Sequence, residues 1–133
     1  MAVLTSGRLA ALAGVNVETI RYYERRGLLA APARTRSGYR DYPGEAVRVV
    51  RFIKRAQGLG FTLKEVKELL ALSGDSGSTC GDVRDTARRK LDDIEAKIEG
   101  LQSMRRTLKK IIKECPGKGP LSGCSILESL AED

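Results

Sequence analysis

The chain has 133 residues, a net charge of +7, three cysteines and no histidine. That length holds one modest domain plus an appendage, with a core small enough for oligomerisation to help it. The charge favours an anionic partner, nucleic acid before membrane, and the lack of histidine excludes a Cys–His nucleophile and any His-bearing metal site.

No apolar run approaches the roughly 18 residues that a membrane span needs. The start, "MAVLTSGRLAALAGV", lacks a basic region followed by an unbroken apolar stretch, so no secretory signal is read there. The expectation is a cytoplasmic protein without a membrane partner, whose thiols stay reduced. An odd cysteine count also argues against a disulfide framework.

Residues 1–72 read as short helices joined by tight turns. "SGRLAALAGV" carries Leu9, Ala10, Leu12 and Ala13 on one face and stops at Gly14. "NVETIRYYERRGLL" follows, with Asn16 as N-cap and Gly27 as the stop. Two short helices around a Gly-bearing turn are the sequence form of a helix-turn-helix. "ARTRSGYRDYP" has a Ser-Gly turn and the strand-favouring Tyr39 and Tyr42, which predicts a small hairpin or wing. "GEAVRVVRFIKRAQGLGF" spaces Val47, Val50, Ile53 and Leu59 as a helix. "TLKEVKELLALS" opens on a Thr62–Glu65 capping box and turns Leu63, Val66, Leu69 and Leu70 inward.

Residues 73–79, "SGDSGST", form a polar linker. Beyond it, Ala87, Leu91, Ile94, Ile98, Leu101, Met104, Leu108 and Ile111 recur every three or four residues. That is a narrow apolar seam on a long, otherwise charged helix over residues 80–114, as in a coiled coil. Such a stripe packs either on its own N-terminal domain or on a partner helix. The first 72 residues already carry their own apolar faces, which favours the partner helix and a homodimer.

The basic residues gather on two neighbouring elements. "TIRYYERR" puts Arg21, Tyr22, Arg25 and Arg26 on the second helix, whose N-terminal part suits a major groove. The wing adds Arg34, Arg36, Tyr39 and Arg40, a cluster suited to phosphate and groove contact. One arginine alone reads as a solvated charge; two adjacent basic elements on a winged helix-turn-helix read as a DNA surface. Tyr23, one step from Tyr22, is the tyrosine expected in the core.

The cysteines are Cys80, Cys115 and Cys124. Thr79 and Asp82 form a capping signal that sets Cys80 in the first turn of the long helix, and Ser125 with Glu128 suggests a second capping box beside Cys124. A helix N-terminus favours negative charge. Cys115 follows the long helix, and Pro116 and Pro120 stiffen the loop after it. A continuous helix puts Cys80 and Cys115 about 50 Å apart at ~1.5 Å per residue. One chain then cannot bring both to one ion. Two long helices packed antiparallel would set Cys80 of one protomer beside Cys115 and Cys124 of the other, twice per dimer. Three sulfurs without nitrogen select soft metals, whereas zinc asks for a fourth ligand. The alternatives are cysteines with no ligand, or a Cys115–Cys124 disulfide.

"GVNVETIRYYERRGLL", "SGYRDY", "FIKRAQGLGFTLKEVKELL" and the long helix together resemble the MerR family of transcriptional regulators, from about residue 5 to residue 130. The resemblance implies an all-α fold with a small β wing. A winged helix-turn-helix DNA-binding domain leads into a long antiparallel dimerisation helix, and a short metal-binding loop and helix close the chain over residues 115–133. It carries Arg21, Tyr22, Tyr39 and Arg40 over as DNA contacts. It also implies a dimer on a palindromic promoter operator, working with RNA polymerase, that represses without effector and activates by distorting the DNA. The cysteine spacing is similar to the mercuric-ion branch, which implies Hg(II) as effector. Lead-responsive relatives share that spacing, so Pb(II), Cd(II) and Zn(II) remain rivals. An architectural DNA-binding protein with a structural metal is the rival of another class. No C-x-x-C motif supports an enzyme.

Overall fold

The computed structural model describes residues 3–34 and 40–132. Its elements run β1 (Val3–Leu4), α1 (Ser6–Ala13), α2 (Val17–Arg25), β2 (Ala33–Arg34), β3 (Arg40–Pro43), α3 (Ala46–Gly58), α4 (Leu63–Ser73), α5 (Cys80–Glu114) and α6 (Ser125–Ala131). Contacts separate into two compact units, Met1–Ala87 and Arg88–Asp133.

Local signals start and stop the helices of the first unit. Thr5 caps α1 by accepting the Arg8 N–H at 3.1 Å. At its other end Gly14 takes φ 73°, a left-handed conformation that a side chain would strain. The Val15 N–H then reaches back to the Ala10 carbonyl at 3.0 Å. The end of α2 repeats this design: Gly27 has φ 74°. There the Gly27 and Leu28 N–H groups satisfy the Glu24 and Tyr23 carbonyls at 3.0 and 2.9 Å. α4 begins with the expected capping box between Thr62 and Glu65.

Tertiary contacts fix the angle between the first helices. Lys54 Nζ on α3 donates to the Gly14 carbonyl at 2.7 Å, and Arg51 Nη2 donates to the Leu12 carbonyl at 2.8 Å. These cations meet the carbonyl-rich C-terminal end of α1, where positive charge is favourable. Leu9, Ile20, Tyr42, Val50, Ile53 and Val66 are fully buried between the helices and β3. Each large aliphatic side chain there contributes about 1.5–3 kcal/mol relative to exposure. Two residues expected to be apolar contacts turn outward: Leu12 is 37% exposed and Leu59 63% exposed. Leu59 has left the helical register because it is the C-cap of α3, not part of its buried face.

The wing is larger than a hairpin. β2 pairs with β3 antiparallel, Ala33 opposite Asp41 and Arg34 opposite Arg40. β1 adds a third strand on the other side of β3, with Leu4 opposite Tyr42. Two residues at the chain's start carry no strand signal of their own; the partner edge makes them a strand.

In the second unit α5 continues as unbroken helix to Glu114. Ile111 is buried, but Leu91, Ile98, Leu101, Met104 and Leu108 are 48–63% exposed. The seam is thus largely uncovered within one chain. Among the described residues, no helix is long and apolar enough to cross a membrane.

Candidate DNA interface and thiolate site

The candidate DNA surface begins at the N-cap of α2. Asn16 Oδ1 accepts both the backbone N–H and the hydroxyl of Thr19 at 2.8 Å. With the helix start fixed, Ile20 and Tyr23 point into the core, and Tyr23 donates its hydroxyl to Gln57 Oε1 of α3 at 2.8 Å. The expectation for Tyr23 holds. Burial also raises the Tyr23 pKa above its ordinary value. Helical geometry then leaves Arg21, Tyr22, Arg25 and Arg26 on the exposed side. Arg21 Nη1 lies 3.3 Å from Glu18 Oε1, an ion pair with side chains 51% and 75% exposed. Such a pair contributes little, so Arg21 is available to a stronger anion. The Arg25 guanidinium sits 5.8 Å from the centroid of the Tyr22 ring, within cation–π range.

On the wing, Arg40 and Tyr42 are two residues apart on β3 and share one face. Both reach Glu24 on α2. Tyr42 donates its hydroxyl to Glu24 Oε1, and Arg40 Nη1 lies 2.9 Å from Glu24 Oε2. Ser6 of α1 also hydrogen-bonds the Tyr42 oxygen. Burial, then the hydrogen bond to Glu24, raises the Tyr42 pKa. Sequence reasoning missed Glu24 and Ser6 altogether and took Tyr42 only as a strand former. The alternation along β3 was the available signal for its shared face with Arg40. Arg36 and Tyr39 lie outside the described residues.

The three thiols occupy helix ends. Thr79 and Asp82 make the expected reciprocal cap: the Thr79 N–H donates to Asp82 Oδ2 at 2.8 Å, and the Asp82 N–H to Thr79 Oγ1 at 3.3 Å. Cys80 is therefore the first residue of α5, and it is exposed. The 35 residues of α5 extend about 52 Å at ~1.5 Å each. Just past its end, Cys115 Sγ accepts the Gly117 N–H at 3.4 Å.

The second capping box does not form. Cys124, not Ser125, is the N-cap of α6, and no side chain caps that helix. A 3-10 turn at Leu121–Gly123 brings the chain into α6 one residue earlier than the Ser-x-x-Glu pattern suggested. Ser125 Oγ is left buried without a hydrogen-bond partner.

Cys115 and Cys124 line one cavity of about 190 Å³ together with Pro116, Lys118 and Pro120. All three cysteines are free thiols, so no Cys115–Cys124 disulfide forms. Among the described residues, no three Cys, Asp or Glu side chains converge on a metal position within one chain. The structure brings two of the predicted thiols to one loop and leaves Cys80 at the far end of α5. The donor set fits a soft cation: two cysteines line a small cavity, and Lys118 is the charged residue among its described lining.

Two family models match the chain. The MerR HTH family regulatory protein model covers residues 4–73, and the MerR DNA-binding model covers residues 47–111. The chain is 44% identical to the mercuric resistance operon regulatory protein of Bacillus cereus, over 93% of this chain and 94% of that protein. Among solved structures it is similar to the MerR regulator of Bacillus megaterium in complex with mercury(II), at 40% identity and a TM-score of 0.74, covering 95% of this chain and 98% of that one. A lead(II)-complexed transcription regulator from Ralstonia metallidurans aligns with a TM-score of 0.86 at 30% identity, covering 96% and 99%. The chain therefore belongs to the MerR family of helix-turn-helix regulatory proteins: it is a DNA-binding transcription regulator, not an enzyme.

Proposed function

We propose that the chain is a mercury-responsive regulator that works as a homodimer on a palindromic promoter operator. Residues 1–72 hold the DNA, 80–114 pair the protomers, and 115–133 complete the metal site, with 73–79 as linker. In this reading Arg21 and Tyr22 of α2, Arg40 of β3, and Arg36 and Tyr39 are the DNA-contacting residues. Without metal the dimer represses; with metal it distorts the operator so that RNA polymerase can use the promoter. Such a regulator acts in the cytoplasm, where the promoter is.

The observation that carries this reading is a coincidence of register. Placed antiparallel, Ala87 meets the partner's Leu108, Leu91 meets the partner's Met104, and Ile94 meets the partner's Leu101, with Ile98 at the centre. Each pair has the same sum of residue numbers, and so do Cys80 and Cys115. A register that covered the exposed seam would set Cys80 beside the partner's Cys115, and Cys124 lines the same loop cavity as Cys115. Cys80 of one protomer with Cys115 and Cys124 of the other would hold Hg(II), whose softness suits sulfur ligands. Lys118 offsets the negative charge of three thiolates, and the seam holds the two helix ends in place. The site so formed spans two chains, which is how an ion could change the angle between two DNA-binding units.

The Pb(II) complex of a solved relative favours one rival ion. In-vitro transcription with Hg(II), Pb(II), Cd(II) and Zn(II) separates them: activation at the lowest concentration by Hg(II) is expected, and by Pb(II) would transfer the reading to lead. X-ray absorption of the Hg(II) protein should show three sulfur ligands; nitrogen or four-sulfur coordination would exclude this site.

A further inference from the structure

Glu24 stands where three elements of the DNA-binding unit meet. It is a residue of α2, it accepts the Tyr42 hydroxyl from β3, and it faces the Arg40 guanidinium at 2.9 Å. Tyr42 is also hydrogen-bonded to Ser6 of α1. The Glu24 side chain is 10% exposed, whereas that of Arg40 is 28% exposed. The pair is therefore lopsided: a nearly buried carboxylate, anchored by a second donor, and a guanidinium that still reaches solvent. Glu24 does not exhaust Arg40. Nη1 is close enough for an ion pair but has no aligned hydrogen bond, Tyr42 also hydrogen-bonds Arg40, and the five-donor fork exceeds what these two partners can take. Breaking the pair would leave a charge buried with one hydroxyl, which is costly, so Arg40 stays beside Glu24 when DNA arrives.

We propose that Glu24 is a positioning residue for the wing: it holds the Arg40 guanidinium in the orientation that presents its solvent-facing side to a DNA phosphate. This rests on the reading of Arg40 as a DNA contact. It makes a prediction opposite in sign to simple electrostatics. A carboxylate close to DNA repels it, so its removal should tighten binding through charge alone. A carboxylate that aims a phosphate-binding arginine should, when removed, weaken binding.

The test measures affinity against salt concentration, with a duplex selected by the wild-type protein from a random-sequence pool. Glu24→Gln removes the charge. Glu24→Asp keeps the charge and withdraws it by one methylene, so the test survives if the first variant fails to fold. Both are expected to bind about three- to tenfold more weakly. The slope of log affinity against log salt should fall by about 0.9, one phosphate contact. Neither change should appear when the same substitutions are made on an Arg40→Gln background. A purely structural role would lower the folded fraction but leave the slope alone. An unchanged or steeper slope, tighter binding, or an equal loss on the Arg40→Gln background would overturn the proposal. Arg40→Gln with wild-type affinity and slope would instead overturn the reading of Arg40 itself.

Discussion

The Tyr23 hydroxyl donates to Gln57 Oε1 at 2.8 Å, and this bond joins α2 to α3 across 34 positions of sequence. The ring around it is 4% exposed. Tyr23→Phe keeps the ring and loses the bond, but Gln57 is exposed and water takes its oxygen, so the change should cost only about 0.5–1.5 kcal/mol of stability in urea unfolding. Tyr23→Ala removes the ring as well and should cost about 3–5 kcal/mol. DNA affinity of the folded Tyr23→Phe protein should stay close to wild type, because the hydroxyl faces α3 and not the exposed side of α2.

Arg21 behaves oppositely. Among the described residues its ion pair is the exposed one with Glu18, so Arg21→Ala should change stability by less than about 0.5 kcal/mol. On the selected operator it should cost about 1–3 kcal/mol, and less on random duplex. Anisotropy titrations on both DNAs measure this; equal losses would remove Arg21 from base readout and leave it as a phosphate contact.

Alkaline pH should loosen the DNA-binding unit. Tyr23 and Tyr42 both have pKa values raised above the ordinary 10.0, chiefly by burial, with Glu24 adding to the rise at Tyr42. A raised folded-state pKa means that the unfolded chain loses these protons first. The stability they contribute is therefore fully present below about pH 10 and is lost as pH climbs through the folded values. Chemical unfolding between pH 8 and pH 11 should show a plateau and then a decline. Tyr42→Phe should flatten part of that decline; an identical decline in Tyr42→Phe would assign it to other groups.

The shared metal site can be tested by complementation. Cys80→Ala and Cys115→Ala homodimers should each lack both complete sites. In the mixed dimer, Cys80 of the Cys115→Ala chain meets the Cys115 and Cys124 of the other chain, so one site returns. Mercury titration of the purified heterodimer should find one trigonal-thiolate site per dimer by its ultraviolet absorption. No recovered site in an intact heterodimer would mean that the two α5 helices do not pair antiparallel in this register.

Local chemistry made much of this molecule legible in its sequence. Asn16, Thr62, Thr79, Gly14 and Gly27 act on backbone groups within a few residues, and each starts or ends its helix as read. The apolar seam of α5 and the helix-end positions of Cys80 and Cys115 follow from the same short-range rules. Tertiary structure decided what depends on distant partners. Val3 and Leu4 become a strand because the free edge of β3 accepts them. Glu24, Arg40 and Tyr42 become one cluster because packing brings α2 against the wing. Even a capping pattern yielded where it conflicted with its surroundings: the Leu121–Gly123 turn hands the N-cap of α6 to Cys124 instead of Ser125. A cap closes over three or four residues whatever the rest of the chain does. A strand edge or a buried ion pair exists only once the chain has returned to meet itself.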